Sequence, residues 1–455
     1  MIFNQQLPLR ERINFVVYAL SRFILSVGNY VYLFAVSYYI MYETGSALYF
    51  SINMAISVVV TLILLPFSGV LSDLGNKRKI IISGEVLNSL VILGLFLYTV
   101  IYDINLIAIY IVTFLTSMIE PFVSNAFQTA ITELFHKDRI QQVMGYTSAI
   151  LSSTVILGPI LGGVLFGLLS FPQIILIFLI AFVLSALLDF FLKFDLYYDK
   201  AVYKENDSDT VGFSKFKRDI SEGFIFIARN RVFKSLLIIA ALVNFMSGVI
   251  SIFPEKMMIY ELSFQPETVG IVNAIAGIGV LIGGLTVARM KKLENPFRMI
   301  KKGFLVFAGL VVLYLLPLYV DAGPVLIVLM IGGIGIAITL TLQIVNIPTN
   351  LFIQLVTPQH IKGRVFSTIS LCAMSIMPVG TIFYGYMYDL ELYWIINTVS
   401  TLLIIVIVLV LFNEKLIERS KEMYDAAKVE NEELEEPAPE TSEGLMDPKA
   451  DPQSI

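Results

Sequence analysis

The sequence predicts an all-α integral membrane protein with twelve transmembrane helices, and three observations predict it. Hydrophobic residues make up 57% of the 455 and charged residues only 15%, with a mean hydropathy of +0.81. Soluble domains carry about 25% charged residues, so this chain lacks the polar surface to face water on every side. Stretches of the ~20 apolar residues that cross a bilayer recur twelve times. Finally, Lys and Arg fall in alternate connections, as they do when one side of a membrane retains positive charge.

The apolar stretches lie near 15–40, 47–72, 80–102, 105–134, 141–169, 171–195, 233–256, 267–290, 303–320, 323–355, 365–388 and 392–412. The fourth and tenth exceed a bilayer's thickness and are expected to tilt or protrude. Arg10 and Arg12 precede the first; Lys77, Arg78 and Lys79 follow the second; Lys137 and Arg139 follow the fourth. Basic residues cluster again from Lys200 to Arg231, from Arg289 to Lys302, and at Lys362 and Arg364. The other connections, near Glu43, Asp103, Ser170, Asp321 and Glu391, carry none, with Lys256 as the lone exception. Both termini are therefore expected in the cytoplasm, in a multi-pass plasma-membrane protein. The polar leader Met1–Arg12 is read as uncleaved, with the first apolar stretch kept as a span.

Residues 196–232 interrupt the pattern. A polar linker leads into a segment with Phe216, Ile220, Phe224 and Ile227 at helical spacing opposite Lys215, Arg218 and Asp219, which fits an amphipathic helix on the membrane surface. Six spans lie on either side, so the chain divides into 1–195, the linker 196–232, 233–412 and a tail 413–455. At an offset of 221, Leu134 and Ile140 match Leu355 and Ile361, a faint internal repeat of the kind that places a substrate site between two halves. The tail is acidic, rich in Glu and Pro, and is expected to be disordered.

Several chemistries are excluded at this stage. One cysteine, Cys372, rules out a disulfide framework and a cysteine metal cluster. His136 and His360 both fall in polar loops, which argues against an intramembrane metal set or a membrane-embedded enzyme. The glycine runs at Gly277–Gly283 and Gly332–Gly335 lie inside spans without a Lys-Ser/Thr partner, so they read as packing glycines rather than phosphate loops. Any transport would then run on an ion gradient rather than on ATP hydrolysis by this chain, with no cofactor, no metal and no nucleic-acid partner. The partners expected of this chain, a monomer, are a small-molecule substrate and the bilayer.

Three motifs sharpen the reading. Between spans two and three stand Gly69, Leu71, Asp73, Lys77 and Arg78. The order resembles the loop motif of the major facilitator superfamily, G-x-L-x-D-R-x-G-R-R/K, with departures at Leu74 and Asn76. Span five holds Gly145, Gly158, Pro159, Gly162 and Gly163, similar to the antiporter motif G-x8-G-x3-G-P-x2-G-G of exporters in that superfamily, with Thr154 in place of a glycine. The junction from Pro358 through Gly363, Arg364, Val365 and Phe366 to Pro378 and Gly380, with Gly145 and Tyr146, resembles the macrolide-efflux branch, which also includes siderophore exporters. The resemblance covers residues 15–412. It implies two pseudo-symmetric six-helix bundles that rock about a central cavity, and a latch from Asp73 to span eleven in which Gly69, Lys77, Arg78, Gly363 and Arg364 share.

Charges inside spans are costly and mark function. Glu120 sits at the middle of span four, followed by Pro121. A carboxyl in apolar surroundings tends to keep its proton and can release it when water or a cation arrives, so Glu120 is the candidate proton-coupling residue. The alternative is a protonated acid bonded to a neighbouring helix. Arg22, Glu85 and Asp189 lie nearer span ends, where interfacial pairing is the cheaper explanation. Asn29, Tyr30, Asn125, Gln128, Asn244, Asn273, Gln343 and Asn346 are cavity candidates, some of which merely tie helices together. The reading is a proton-coupled exporter of amphipathic compounds such as macrolides. A siderophore or metabolite exporter, an uptake symporter and a transport-inactive scaffold remain as alternatives, and an intact scaffold would tolerate Glu120→Gln.

Overall fold

The computed structural model describes residues 8–197, 213–290 and 295–435. The polar linker with Lys200 and Lys204, the basic pair Lys291 and Lys292, and the tail beyond 435 lie outside the described residues. The rest is helical, because a chain in hydrocarbon must satisfy each backbone N–H and C=O within its own segment. The first six spans are Leu9–Thr44, Ala47–Leu74, Lys77–Ile101, Leu106–Leu134, Ile140–Leu168 and Phe171–Phe190. The eighth to twelfth are Pro266–Arg289, Pro296–Leu313, Pro324–Val356, Lys362–Asp389 and Tyr393–Leu411.

Eleven of these helices are long and apolar enough to cross a membrane, and a bent pair makes a twelfth. That pair, Arg231–Phe245 with Ser247–Glu261, is span seven, and it turns by 40° at Met246. Its last six residues, Lys256–Glu261, form a π-helix, a geometry that collects at functional sites. Caps end the helices where the sequence offers them. Ser46, Asn76 and Asn105 each accept a backbone N–H from the first turn that follows, relieving donors the helix cannot satisfy.

The internal repeat is visible in the backbone. A one-turn 3-10 helix at Lys137–Arg139 joins spans four and five, and another at Gln359–Ile361 joins spans ten and eleven, 222 residues later. Spans one, five and six pack together, as do two, three and four, while eight, ten, nine and twelve form the core of the second half. The halves meet along two seams, span two with eleven and span five with eight.

Two sequence readings change. The amphipathic segment does form a helix, Phe213–Arg229, but it is anchored as well as amphipathic. Arg364 of span eleven pairs with Asp219 at 2.9 Å and with Glu222, and the helix packs on spans eleven and seven. Phe224 and Ile225 remain exposed, as a face on a lipid surface requires. The expectation of disorder beyond Asn413 is overturned for its first part. Residues Glu414–Glu435 form a helix that packs on spans seven, nine and ten. Ile417 and Tyr424 are buried, and Tyr424 stacks on Phe352 at 6.2 Å. Leu416, Ile417, Ser420 and Tyr424 make one buried face, which the acidic average over the whole tail conceals.

Candidate functional site

The structure has two distinct ends. One, here the terminal end, carries residue 9 and residue 414; the other, the far end, carries the turn at Gly45 and the end of span eleven at Asp389. At the far end the halves are joined. Asp389 accepts hydrogen bonds from Ser46 Oγ at 2.5 Å, Ala47 N at 2.7 Å and Leu48 N at 3.2 Å. A carboxylate of one half therefore caps the N-terminus of span two in the other, where the helix dipole favours negative charge. Lys256, 3% exposed, pairs with Asp389 at 3.5 Å and donates to the Gly45 carbonyl. Tyr38 adds a hydrogen bond to the Phe264 carbonyl at 3.0 Å. Lys256 was the lone basic residue on the wrong side of the charge pattern. Burial against a carboxylate is the reason it stands there.

Glycines show how the ends differ. A β-carbon on Gly163 would stand 2.5 Å from the Pro266 carbonyl oxygen, and one on Gly385 2.7 Å from Cβ of Ser51; both cross the seam at the far end. On Gly162 it would meet Phe34 of span one at 2.8 Å. Gly69, Gly145, Gly284 and Gly363, all toward the terminal end, have nothing within 4 Å. The seams are closed at the far end and parted at the terminal end. Among the described residues, the polar links between the bundles sit at the far end.

Glu120 stands on the side of span four turned away from its lipid-exposed residues. Glu120 is exposed and forms no hydrogen bond or ion pair among the described residues. The lipid-exposed residues of span four, Ile111, Phe114, Leu115 and Met118, lie on the opposite side of the helix at about 100° per residue. Phe127 shares the Glu120 face, seven residues or close to two turns of about 3.6 residues away, and Arg22 of span one lies over its ring at 3.6 Å. Seven residues further along antiparallel span one is Asn29, which is also exposed. Asn29 and Glu120 are thus level, on facing sides of the space between spans one and four.

The other cavity candidates divide. Gln128 and Asn346 are exposed and free of described hydrogen bonds, so they suit a cavity wall. Asn125 donates to Ser68 at 2.6 Å, Asn244 to the Ala240 carbonyl of its own helix, and Gln343 packs against Gly283. Tyr30 fills the space opposite Gly158. Asn273 donates to Glu255 at 2.8 Å, and Glu255, placed at the start of the π-helix, is an intramembrane acid that the sequence reading passed over. The only signal for it was its place inside an apolar run next to Pro254.

Among the described side chains, the latch residues have separate partners. Asp73 is the next-to-last residue of span two, and its side chain lies outside the described residues. Lys77 pairs with buried Glu133, Arg78 donates to the Phe190 carbonyl at 3.1 Å, and Arg364 holds the surface helix. A second cluster had been discounted. Arg22 donates to Glu85 at 2.8 Å and also to Asp189, with the two acids 1% and 0% exposed. Residues 22, 85 and 189 are far apart in sequence, and the packing of spans one, three and six brings them together.

Against this geometry, the comparisons with known proteins are consistent. The profile of the Major Facilitator Superfamily matches residues 18–381. The chain is 27% identical over 370 residues to the uncharacterized MFS-type transporter YfiS of Bacillus subtilis (strain 168), covering 77% of this chain and 80% of that protein. It is 22% identical over 384 residues to macrolide efflux protein A of Streptococcus pyogenes, covering 84% and 91%. Among solved structures, a bacterial homologue of the iron transporter ferroportin in an inward-facing state superposes with a TM-score of 0.66 at 16% identity, over 89% of this chain and 99% of that one. A bacterial homologue of the lysosomal transporter Spinster, inward-facing and unoccupied, gives 0.63 at 12% identity, over 93% and 99%.

Proposed function

The chain belongs to the major facilitator superfamily, and from that premise we propose that it is a proton-coupled exporter of amphipathic organic compounds of the macrolide type. It is a multi-pass membrane transporter of a small molecule and not an enzyme; direction, coupling and substrate class are the proposal. The observation that carries it is the glycine seam of span five. Gly158 and Gly162 seat span one inside the first half, and Gly163 seats span eight of the second, so the stretch that resembles the antiporter motif both packs its own bundle and, at Gly163, lets the halves approach at the far end. The distant similarity to macrolide efflux protein A supports the same direction.

With the basic loops on the cytoplasmic side, the far end is external and this conformation faces inward, ready to load. Apolar walls with Asn29 and Glu120 on facing sides suit a bulky amphipathic compound, above all one with a basic group. Glu120 would be ionised while it holds such a substrate and would take a proton when the cleft opens outward. For a singly charged cation the exchange moves no net charge, so the pH gradient drives it, each pH unit being worth about 1.4 kcal/mol, enough for a modest concentration ratio.

The test uses inverted membrane vesicles with an acid interior. Erythromycin or a fluorescent amphipathic cation should accumulate inside and leave when a protonophore is added. Accumulation only in right-side-out vesicles would establish uptake instead, and gradient-independent equilibration would remove the coupling.

A further inference from the structure

We propose that Glu85 and Asp189, gathered on Arg22, share one exchangeable proton and form a second proton site below Glu120; the site's place in transport rests on the export reading above, its existence does not.

Two carboxyls and one guanidinium are buried together. A single nitrogen, Arg22 Nη2, serves both acids. Among the described residues, Glu85 Oε2, Asp189 Oδ1 and Arg22 Nε are buried without a hydrogen-bond partner. Because both carboxyls contact that one nitrogen, they lie close to each other. Two ionised carboxylates offer acceptors only, and like charges this close inside a membrane repel strongly. With a proton on either one, the acid donates to its neighbour and the cluster of two acids and one base becomes neutral. The Ser21 and Ser185 hydroxyls, bonded to each other at 3.0 Å, complete its polar lining.

The surrounding elements leave the count intact. From span one, Tyr18 and Arg22 face the cluster; from span three, Glu85; from span six, Asp189. Span four contributes Glu120, seven residues from Phe127, while its Glu133 is held by Lys77. Span two carries one charged residue, Asp73 at its terminal end, whose side chain lies outside the described residues, and span five, from Ile140 to Leu168, carries none. Arg78 approaches from the terminal end, bonded to the Phe190 carbonyl and exposed to solvent, where water screens it. Asp189 is one residue short of the last residue of span six, so the proton has a short path to that end. On the other side Arg22 lies over the Phe127 ring at 3.6 Å, on the face of span four that carries Glu120. A proton arriving at Glu85 and Asp189 frees the guanidinium to favour an ionised Glu120. This ties the second site to the first.

The decisive measurement is infrared absorption of the purified, detergent-solubilised protein, without substrate or gradient, in a Glu120→Gln/Glu255→Gln background. The carbonyl stretch of one protonated carboxyl should be present at neutral pH. Glu85→Gln and Asp189→Asn should each abolish it completely, because one acid and one guanidinium form a neutral pair with no proton to keep. Glu85→Asp should retain it. A background protein without the band, or a band that survives both substitutions, overturns the proposal. If one variant fails to fold, the background spectrum and the other variant still decide. Export driven by the gradient is read separately, so a protein that keeps the band but does not export sinks the transport reading and leaves this site standing.

Discussion

The two bundles share a helix order but differ in the chemistry of their interiors. The first holds Arg22, Glu85, Glu120 and Asp189 within its spans. In the second, among the described residues, the buried polar groups away from the span ends are mostly neutral and paired. Tyr388 donates to Asn397 at 2.7 Å, Tyr384 and Ser400 lie 2.7 Å apart, and Thr401 donates to the Ala308 carbonyl at 3.0 Å. Neutral hydrogen-bonded groups brace a bundle at little cost in hydrocarbon, whereas each charge is expensive. The difference puts most of the intramembrane ionisable groups in the first bundle, where the proposed proton exchange would take place, and leaves Glu255, bonded to Asn273, as the acid of the second to be tested against them.

The sharpest way to break that comparison is to neutralise one acid in each half. Glu120→Gln should lower gradient-driven efflux by about tenfold or more, the equivalent of ~1.4 kcal/mol or greater. Glu255→Gln, whose carboxyl already has Asn273 as a partner, should leave efflux within about threefold of wild type. Vesicle transport at external pH 6 to 8, as test conditions, reads both. Equal losses would erase the division of labour.

Asp389→Asn comes next, because it removes the charge that the second half lends to span two. A hydrogen bond to a charged group contributes about 1.5–3 kcal/mol, so the far-end seam should open more often. With Cys372→Ser and Ser51→Cys, labelling by a membrane-impermeant maleimide should quicken roughly tenfold over the same protein with Asp389 intact. An unchanged rate would show that the apolar and glycine contacts of the seam close it alone.

The tail helix is a brace found on the second half. Ile417 is 0% exposed, and Ile417→Ala should cost about 2–4 kcal/mol of stability. The transport rate per folded molecule should be unchanged. Thermal unfolding in detergent measures the first and reconstituted efflux the second. Loss of rate at full stability would give the helix a role in movement rather than support.

These contrasts were only partly legible in the sequence. Hydropathy located the spans because each must present about 20 apolar residues to the bilayer, a local property. The bend at Met246 is not marked by a proline at that position, and the apolar run continues through it. The triad needs the packing of three spans separated by as many as 167 positions, which no local pattern records. Lys256 was legible as an anomaly, but its partner Asp389 was not, since it comes from the end of another helix. Glu120 stood out because mid-span acids are rare and its position needed only the length of one helix. Composition misled at the tail, where Ile417 and Tyr424 are outnumbered by acids on the outer face.

The mildest test concerns Tyr388, and it sharpens the claim that the second bundle's polar groups are structural. Tyr388 and Asn397 are both 0% exposed, and Asn397 Nδ2 already lacks a partner. Tyr388→Phe would leave Asn397 Oδ1 buried without its donor, at a cost of about 1–3 kcal/mol. Replacing both partners removes the unmet group together with the bond, so Tyr388→Phe/Asn397→Leu should recover much of that loss, and a double-mutant cycle in thermal stability measures the recovery. Neither protein should alter the pH profile of efflux, since no group that exchanges a proton in the working range has been changed. A shifted profile in Tyr388→Phe would mean that proton chemistry extends into the second bundle, and the contrast between the halves would then be one of degree.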